Sequence, residues 1–315
     1  MSGPDTAWLF PGQGSQYVGM GWDLLREFSP AAEIMEQASA LSGKDLQKLC
    51  LQGPDALLTR TDNLQPAITA INLGCARLLQ DRGFRPAVVA GHSLGEFAAL
   101  YAAGVLTVRD TLYLVTERGR LMHETARQVG GGMLAVKGLT AAQVEHLLAG
   151  LQSRFVITIA NYNAPTQTVL SGAVDGLEQA QAAVSQQGGV PVRLNVSGPW
   201  HSSLMQAAAE RFNALLADID FQPAQIPVVL NVTGEPCQDP QAIKAVMLQQ
   251  LCSPVRWRQT LQTMLALGVQ RFIEVGPGKV LRGLLRSMQP AGVDYPALGV
   301  DGPKSLRFLS QRATA

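Results

Sequence analysis

The sequence predicts an α/β fold, a mostly parallel sheet with helices on its faces and a small α+β unit inserted into it. Three observations carry that expectation. Strand-like and helix-like segments alternate through residues 1–130, the order that builds parallel sheets. Residues 131–197 then change to the order β-α-β-β-α-β, that of a ferredoxin-like unit. Of the 315 residues, 47% are hydrophobic and 16% charged, which supplies a large core and leaves too little charge for a disordered chain. The length alone fits two domains or one large α/β domain with an insertion.

Residues 6–10 form a short apolar run broken by Pro11-Gly12-Gln13-Gly14, a strand followed by a turn. Residues 66–80 are predicted helical, with Pro66 in the first turn, where its missing N–H costs nothing. Ile68, Ile71, Leu73, Cys75 and Leu78 make one side of that helix apolar. Residues 87–90 are a second strand, ending at Gly91-His92-Ser93-Leu94-Gly95-Glu96, and residues 97–103 a buried helix. In the inserted unit we expect strands at 132–136, 155–160, 168–171 and 190–196, helices at 140–148 and 177–187, and a turn-rich stretch at 161–166. Its edges fall at Gly130-Gly131-Gly132 and Ser197-Gly198-Pro199, since glycine runs accept hinge geometries. Residues 1–130 and 198–315 then make the large domain, with further strands at 228–231 and 271–275.

The balance of charge excludes several classes of function. Lys plus Arg number 25 and Asp plus Glu 24, a net charge of +1, so nothing draws the chain to nucleic acid or an anionic membrane. The N-terminus lacks a basic start and an apolar h-region, and no window approaches the ~20 apolar residues that span a bilayer. Cys50, Cys75, Cys237 and Cys252 are scattered, without a CxxC pair or a histidine at ligand spacing, so we expect reduced thiols, a cytoplasmic protein and no metal site.

Gly91-His92-Ser93-Leu94-Gly95 is a G-x-S-x-G between a strand and a helix. The turn is too sharp for bulky neighbours, and it presents the serine hydroxyl above the sheet edge. It also aims the following N–H groups at a developing oxyanion. A serine nucleophile needs a base, and there are four histidines. His92 adjoins Ser93 and is poorly placed to reach back to it. His146 reads as a solvated helix residue, and His123 is open between surface and pocket wall. His201, in Gly198-Pro199-Trp200-His201-Ser202 where the chain re-enters the large domain, is favoured by elimination. Asp218 and Asp220 read as helix-end charges, so a Ser-His dyad oriented by a carbonyl oxygen is one arrangement open to the chain.

Seven segments resemble the malonyl-CoA:acyl carrier protein transacylase family, in that family's order across residues 10–278. They are Phe10-Pro11-Gly12-Gln13-Gly14-Ser15-Gln16, Gly91-His92-Ser93-Leu94-Gly95-Glu96, Glu117-Arg118-Gly119-Arg120-Leu121-Met122, Asn161-Tyr162-Asn163-Ala164-Pro165, His201-Ser202-Ser203-Leu204-Met205, Ser253-Pro254-Val255-Arg256-Trp257 and Glu274-Val275-Gly276-Pro277-Gly278. The resemblance implies an α/β-hydrolase-like core with a ferredoxin-like insertion. It implies Ser93 as acylated nucleophile, His201 as base, the N–H groups of Gln13 and Leu94 as oxyanion hole, and the Gln250 carbonyl as support for the histidine. Arg118 would bind the malonyl carboxylate through its planar fork of donors. Trp200, Met122 and Asn163 would wall the pocket. Trp200 stands where many malonyl-selective members carry Phe; the larger ring crowds a branched acyl chain, or reshapes the pocket for another acid.

The implied reaction moves a malonyl group from malonyl-CoA, a coenzyme A thioester, through a Ser93 ester to the phosphopantetheine thiol of an acidic acyl carrier protein. No tightly bound cofactor is expected. The pathway would be fatty acid synthesis or polyketide synthesis in trans. An acyl-carrier-protein hydrolase on the same scaffold and the malonyl transferase subunit of a malonate decarboxylase are the alternatives. Arg193, Arg256, Arg258, Lys279, Arg282 and Arg286 lie near the motifs in sequence and are candidates for a basic carrier-facing rim.

Overall fold

The structure, a computed structural model, describes residues 5–289 and 295–313. Its larger sheet has six strands in the order β10-β9-β1-β2-β7-β8. These are β1 (Thr6–Phe10), β2 (Val88–Gly91), β7 (Val228–Val229), β8 (Pro236–Cys237), β9 (Arg271–Val275) and β10 (Ala297–Val300). Five run parallel and β8 pairs antiparallel at one edge. A strand covered on both faces is apolar throughout, and β1 is buried along its whole length. Its side chains divide by the two-residue period: Trp8 and Phe10 join the core around the helix Thr61–Asp81, while Ala7 and Leu9 pack with Trp257, Leu261 and Leu285.

The smaller sheet is antiparallel, in the order β4-β5-β3-β6, from β3 (Gly132–Lys137), β4 (Ile157–Ala164), β5 (Gln167–Gly172) and β6 (Val190–Arg193). Helices Ala141–Ala149 and Val174–Gln186 pack on it around a separate apolar cluster that includes Leu134, Val136, Ile159, Leu170 and Leu177. The predicted β-α-β-β-α-β order is therefore the observed one.

Several boundaries moved for identifiable reasons. Residues 161–166 were expected as a turn, but β4 runs through Ala164 with register shifts between Ile159 and Asn161 and between Tyr162 and Ala164. Bulges let a strand carry turn-type residues without ending. Pro66 lies inside the helix Thr61–Asp81 and not in its first turn. The Asp62 carbonyl that an N–H at position 66 would have met instead accepts from Lys44 Nζ at 3.0 Å. The strand expected at 228–231 is confined to Val228–Val229, and Asn231 leaves the sheet to enter the site. Among the described residues no helix is long and apolar enough to cross a membrane.

Candidate active site

β1 and β2 are parallel neighbours with Phe10 paired to Gly91, so both strands end at the same edge of the sheet. That register sets Pro11-Gly12-Gln13-Gly14 beside the serine turn, at the carboxyl ends of the strands where open α/β sheets bind ligands. The turn itself is tight. A Cβ at Gly91 would overlap the backbone of Gly95, and one at Gly95 would overlap the Phe10 carbonyl. Ser93 adopts φ 51°, a left-handed conformation that a side chain rarely takes. Asn231 holds it there: Oδ1 accepts from the Ser93 N–H at 2.7 Å, and Nδ2 donates to the Gly91 carbonyl at 2.7 Å.

His201, also strained at φ 58°, lies with Nε2 2.7 Å from Ser93 Oγ. Its Nδ1 is 3.0 Å from the carbonyls of both Gln250 and Ser253. Two acceptors at Nδ1 place the proton there, which leaves the Nε2 lone pair for the serine hydroxyl. Burial, reinforced by the positive charge of Arg118, pushes the imidazole pKa down to about 3, so the ring is neutral and can accept a proton.

Arg118, on the helix Val108–Val129, is 1% exposed. It donates from Nη1 to Gln65 Oε1 at 2.9 Å, from Nε to Gln250 Oε1 at 3.2 Å and from Nη2 to Ser93 Oγ at 3.3 Å. None of these acceptors is charged. Burial lowers its pKa to about 10, with Glu96 acting in the opposite direction, and it remains a cation at neutral pH. Gln13 and Leu94 face the same cavity, and neither main-chain N–H has an acceptor among the described residues.

The cavity is lined by Gln13, His92, Ser93, Leu94, Arg118, Met122, Trp200 and His201, and from the other side by Met133, Asn161, Leu194 and Val196. Met122 and Trp200 are thus among the walls of this cavity. Asn163 is not: its Oδ1 lies 2.8 Å from His92 Nε2, outside the lining, and Asn161 takes the place expected for it. A strand alternates faces, so a two-residue shift keeps the side and moves the residue along the cleft. His92 is engaged by Asn163 and meets the Trp257 ring at a tilt of 58° with centroids 5.3 Å apart, while the contact at the serine hydroxyl is made by His201. His146 is exposed, and His123 is not part of the lining. Asp218 and Asp220 are exposed helix-end charges. Among the described residues no three His, Cys, Asp or Glu side chains are grouped to hold a metal. Asn231, Gln65 and the Ser253 carbonyl are site groups that sequence reasoning missed; Asn231 carried only the signal of a polar residue closing an apolar run.

The model of the acyl transferase domain family matches residues 7–290. The malonyl CoA-acyl carrier protein transacylase of Bacillus subtilis strain 168 is 37% identical over 307 residues, covering 97% of this chain and 96% of that one. The crystal structure of FabD from Acinetobacter baumannii superposes with a TM-score of 0.92 at 33% identity, covering 99% of both chains. A malonyl-transacylase solved in complex with its type II polyketide synthase acyl carrier protein gives 0.92 at 35% identity, covering 98% of this chain and 99% of that chain. The chain belongs to the acyl transferase family, and within it to the malonyl-CoA:acyl carrier protein transacylases.

Proposed function

We propose that this protein is an acyl carrier protein S-malonyltransferase working by acyl exchange on Ser93. The observation that carries the reading is the 2.7 Å contact between Ser93 Oγ and a histidine nitrogen whose partner nitrogen is committed to two carbonyls. His201 Nε2 takes the Ser93 proton as Oγ attacks the thioester carbonyl of malonyl-CoA. The oxyanion forms between the N–H groups of Gln13 and Leu94, and each such donor is worth on the order of 10²-fold in rate. The C–S bond breaks, His201 returns the proton to the coenzyme A thiolate, and malonyl-serine remains. The phosphopantetheine thiol of a carrier protein then enters by the reverse steps, which gives ping-pong kinetics.

Arg118 supports an acid-bearing acyl group over a plain one. It is a buried cation whose three hydrogen-bond acceptors are neutral and on which Glu96 acts without a direct hydrogen bond, so a substrate carboxylate would supply a charged acceptor in contact with it. An enzyme that removed acetyl or longer chains would gain nothing from that cation. In this reading residues 1–130 and 198–315 are the catalytic domain, and 131–197 are an insertion that closes the acyl cleft. The left-handed Gly130 (φ 65°) and Gly131 (φ 96°) support a hinge at its first edge. Every group the exchange needs belongs to the chain itself, without a tightly bound cofactor. The four unpaired cysteines support a cytoplasmic setting, and the relatives' names support fatty acid or polyketide synthesis as the pathway.

The deciding experiment is intact-protein mass spectrometry after brief mixing with malonyl-CoA. A malonyl adduct on the wild type, absent from Ser93→Ala and passed to a holo carrier protein, is the expected result. An adduct lost to water in the presence of the carrier would overturn transfer in favour of hydrolysis.

A further inference from the structure

Glu96 is a carboxylate that the acyl exchange leaves without a role, although it lies three residues beyond the nucleophile and is wholly buried. Its Oε1 accepts from the Asn231 N–H at 2.8 Å and its Oε2 from Gln250 Nε2 at 2.7 Å. Each of those partners holds the nucleophile. Asn231 binds the Ser93 N–H, and Gln250 Nε2 also donates to the Ser93 carbonyl at 3.0 Å. The orientation of the Gln250 amide is forced: Arg118 Nε can only donate, so Gln250 Oε1 faces it and Nε2 faces Glu96. The Gln250 main-chain carbonyl in turn supports His201. One carboxylate therefore stands behind the nucleophile, the base and the guanidinium.

We infer that Glu96 is the positioning carboxylate of this site, and that the site is competent only while Glu96 is ionised. Both neighbours of the carboxylate are N–H donors, so both contacts require acceptors. A proton on Glu96 sets an O–H against one of them. Relief by rotation of the Gln250 amide would turn Nε2 towards Arg118 Nε and Oε1 towards the Ser93 carbonyl, replacing two hydrogen bonds by two repulsive contacts. The inference rests on the acyl-exchange reading of Ser93.

The groups around Glu96 make this titration relevant near neutrality. Burial pushes its pKa up to about 7, opposed by the Asn231 and Gln250 hydrogen bonds and by the Arg118 charge. Arg118 faces it from the helix Val108–Val129, while Asn231 and Gln250 face it as neutral groups. The other titratable groups of the site, His92 and His201, have their pKa lowered by burial. With the base already neutral, the acid limb of the acylation rate belongs to Glu96 and not to the histidine.

The test is rapid-quench acylation of wild type and Glu96→Gln by malonyl-CoA, read by intact mass from about pH 5.5 to about pH 8.5. Wild type should lose rate as pH falls through about 7. Glu96→Gln should lack that limb and acylate on the order of 10²-fold more slowly at the alkaline end, the usual effect of a misplaced nucleophile. Malonyl-CoA affinity, compared in Ser93→Ala and Ser93→Ala/Glu96→Gln, should be no weaker, because Arg118 keeps its charge and loses a competing carboxylate. A limb retained in Glu96→Gln, or affinity and melting temperature falling together with rate, would overturn the inference. If Glu96→Gln does not fold, infrared spectroscopy of the wild type decides. A buried protonated carboxyl band that rises as acylation falls is expected, and a limb without that band overturns the proposal. Absence of any malonyl-serine ester on the wild type would instead sink the acyl-exchange reading itself.

Discussion

Ser93 and His201 are non-glycine residues held at φ 51° and 58°, and each left-handed backbone carries an energetic cost that its surroundings offset. For Ser93 the offset is its hydrogen bonds to Asn231 and Gln250. For His201 it is the pair of carbonyls at Nδ1, which also deny the ring a second proton-accepting role. The neutral state of His201 has a consequence for stability. Its folded pKa lies near 3, and its unfolded pKa near the ordinary 6.5. Between these values the unfolded chain binds the proton and the folded chain does not. Stability is fully present above the unfolded value and is lost as pH falls towards the folded one. We predict that His201→Asn gains on the wild type by about 1.4 kcal/mol for each pH unit below about 6.5, in urea unfolding followed from pH 7 downwards. A constant difference between the two proteins across that range would show that the ring is charged in the fold.

At the scale of the element, the helix Thr61–Asp81 carries a proline well inside it and remains a helix. The Asp62 carbonyl is satisfied from outside by Lys44 Nζ, which also pairs with the Asp62 carboxylate. Replacing Lys44 by Met should cost about 1–2 kcal/mol, the effect of leaving the Asp62 carbonyl without a donor and its carboxylate with Arg60 alone. In Lys44→Met/Pro66→Ala an N–H returns at position 66, so the two changes should be less costly together than their sum by about 1 kcal/mol. Strict additivity in urea unfolding would remove that account. The same helix shows why its start was not legible in the sequence. Proline is read as a boundary because the compensating donor, Lys44, lies on another segment, 18 residues before the Asp62 carbonyl it meets. β1, β9 and the inserted sheet were legible because apolar period and turn residues are local signals. The two-residue strands β7 and β8 carry too few residues for any period. In the site, Ser93, His201 and Arg118 were legible from motif order. Asn231 was not, since its contacts to Gly91 and Ser93 arise only when β2 and β7 become neighbours.

For the whole molecule, net charge near zero means that attraction to an acidic carrier protein must come from where cations are left unpaired. The six basic residues picked out by sequence proximity separate once their contacts are known. Arg282 is bound to the buried Glu274 and to the Gly278 carbonyl, so its charge is spent inside the fold. Arg258 is half-buried, while Lys279 and Arg286 stand exposed at the two ends of the helix Val280–Arg286. Arg193 and Arg256 are exposed and adjoin the cleft most directly. Arg193 precedes the cavity residue Leu194, and Arg256 follows Val255, which bridges to the cavity residue Asn161. Arg193→Glu/Arg256→Glu should therefore raise the KM for the holo carrier several-fold more than the KM for malonyl-CoA. It should also flatten the rise of carrier KM with ionic strength, because rim charges act through a screened field. Arg282→Glu should instead lower the melting temperature, since it sets a new carboxylate against the buried Glu274 and removes that residue's partner. Initial rates against carrier concentration at two salt concentrations check the first pair, and a thermal melt checks the last. An unchanged carrier KM in the double variant would move the docking surface away from this edge of the cleft.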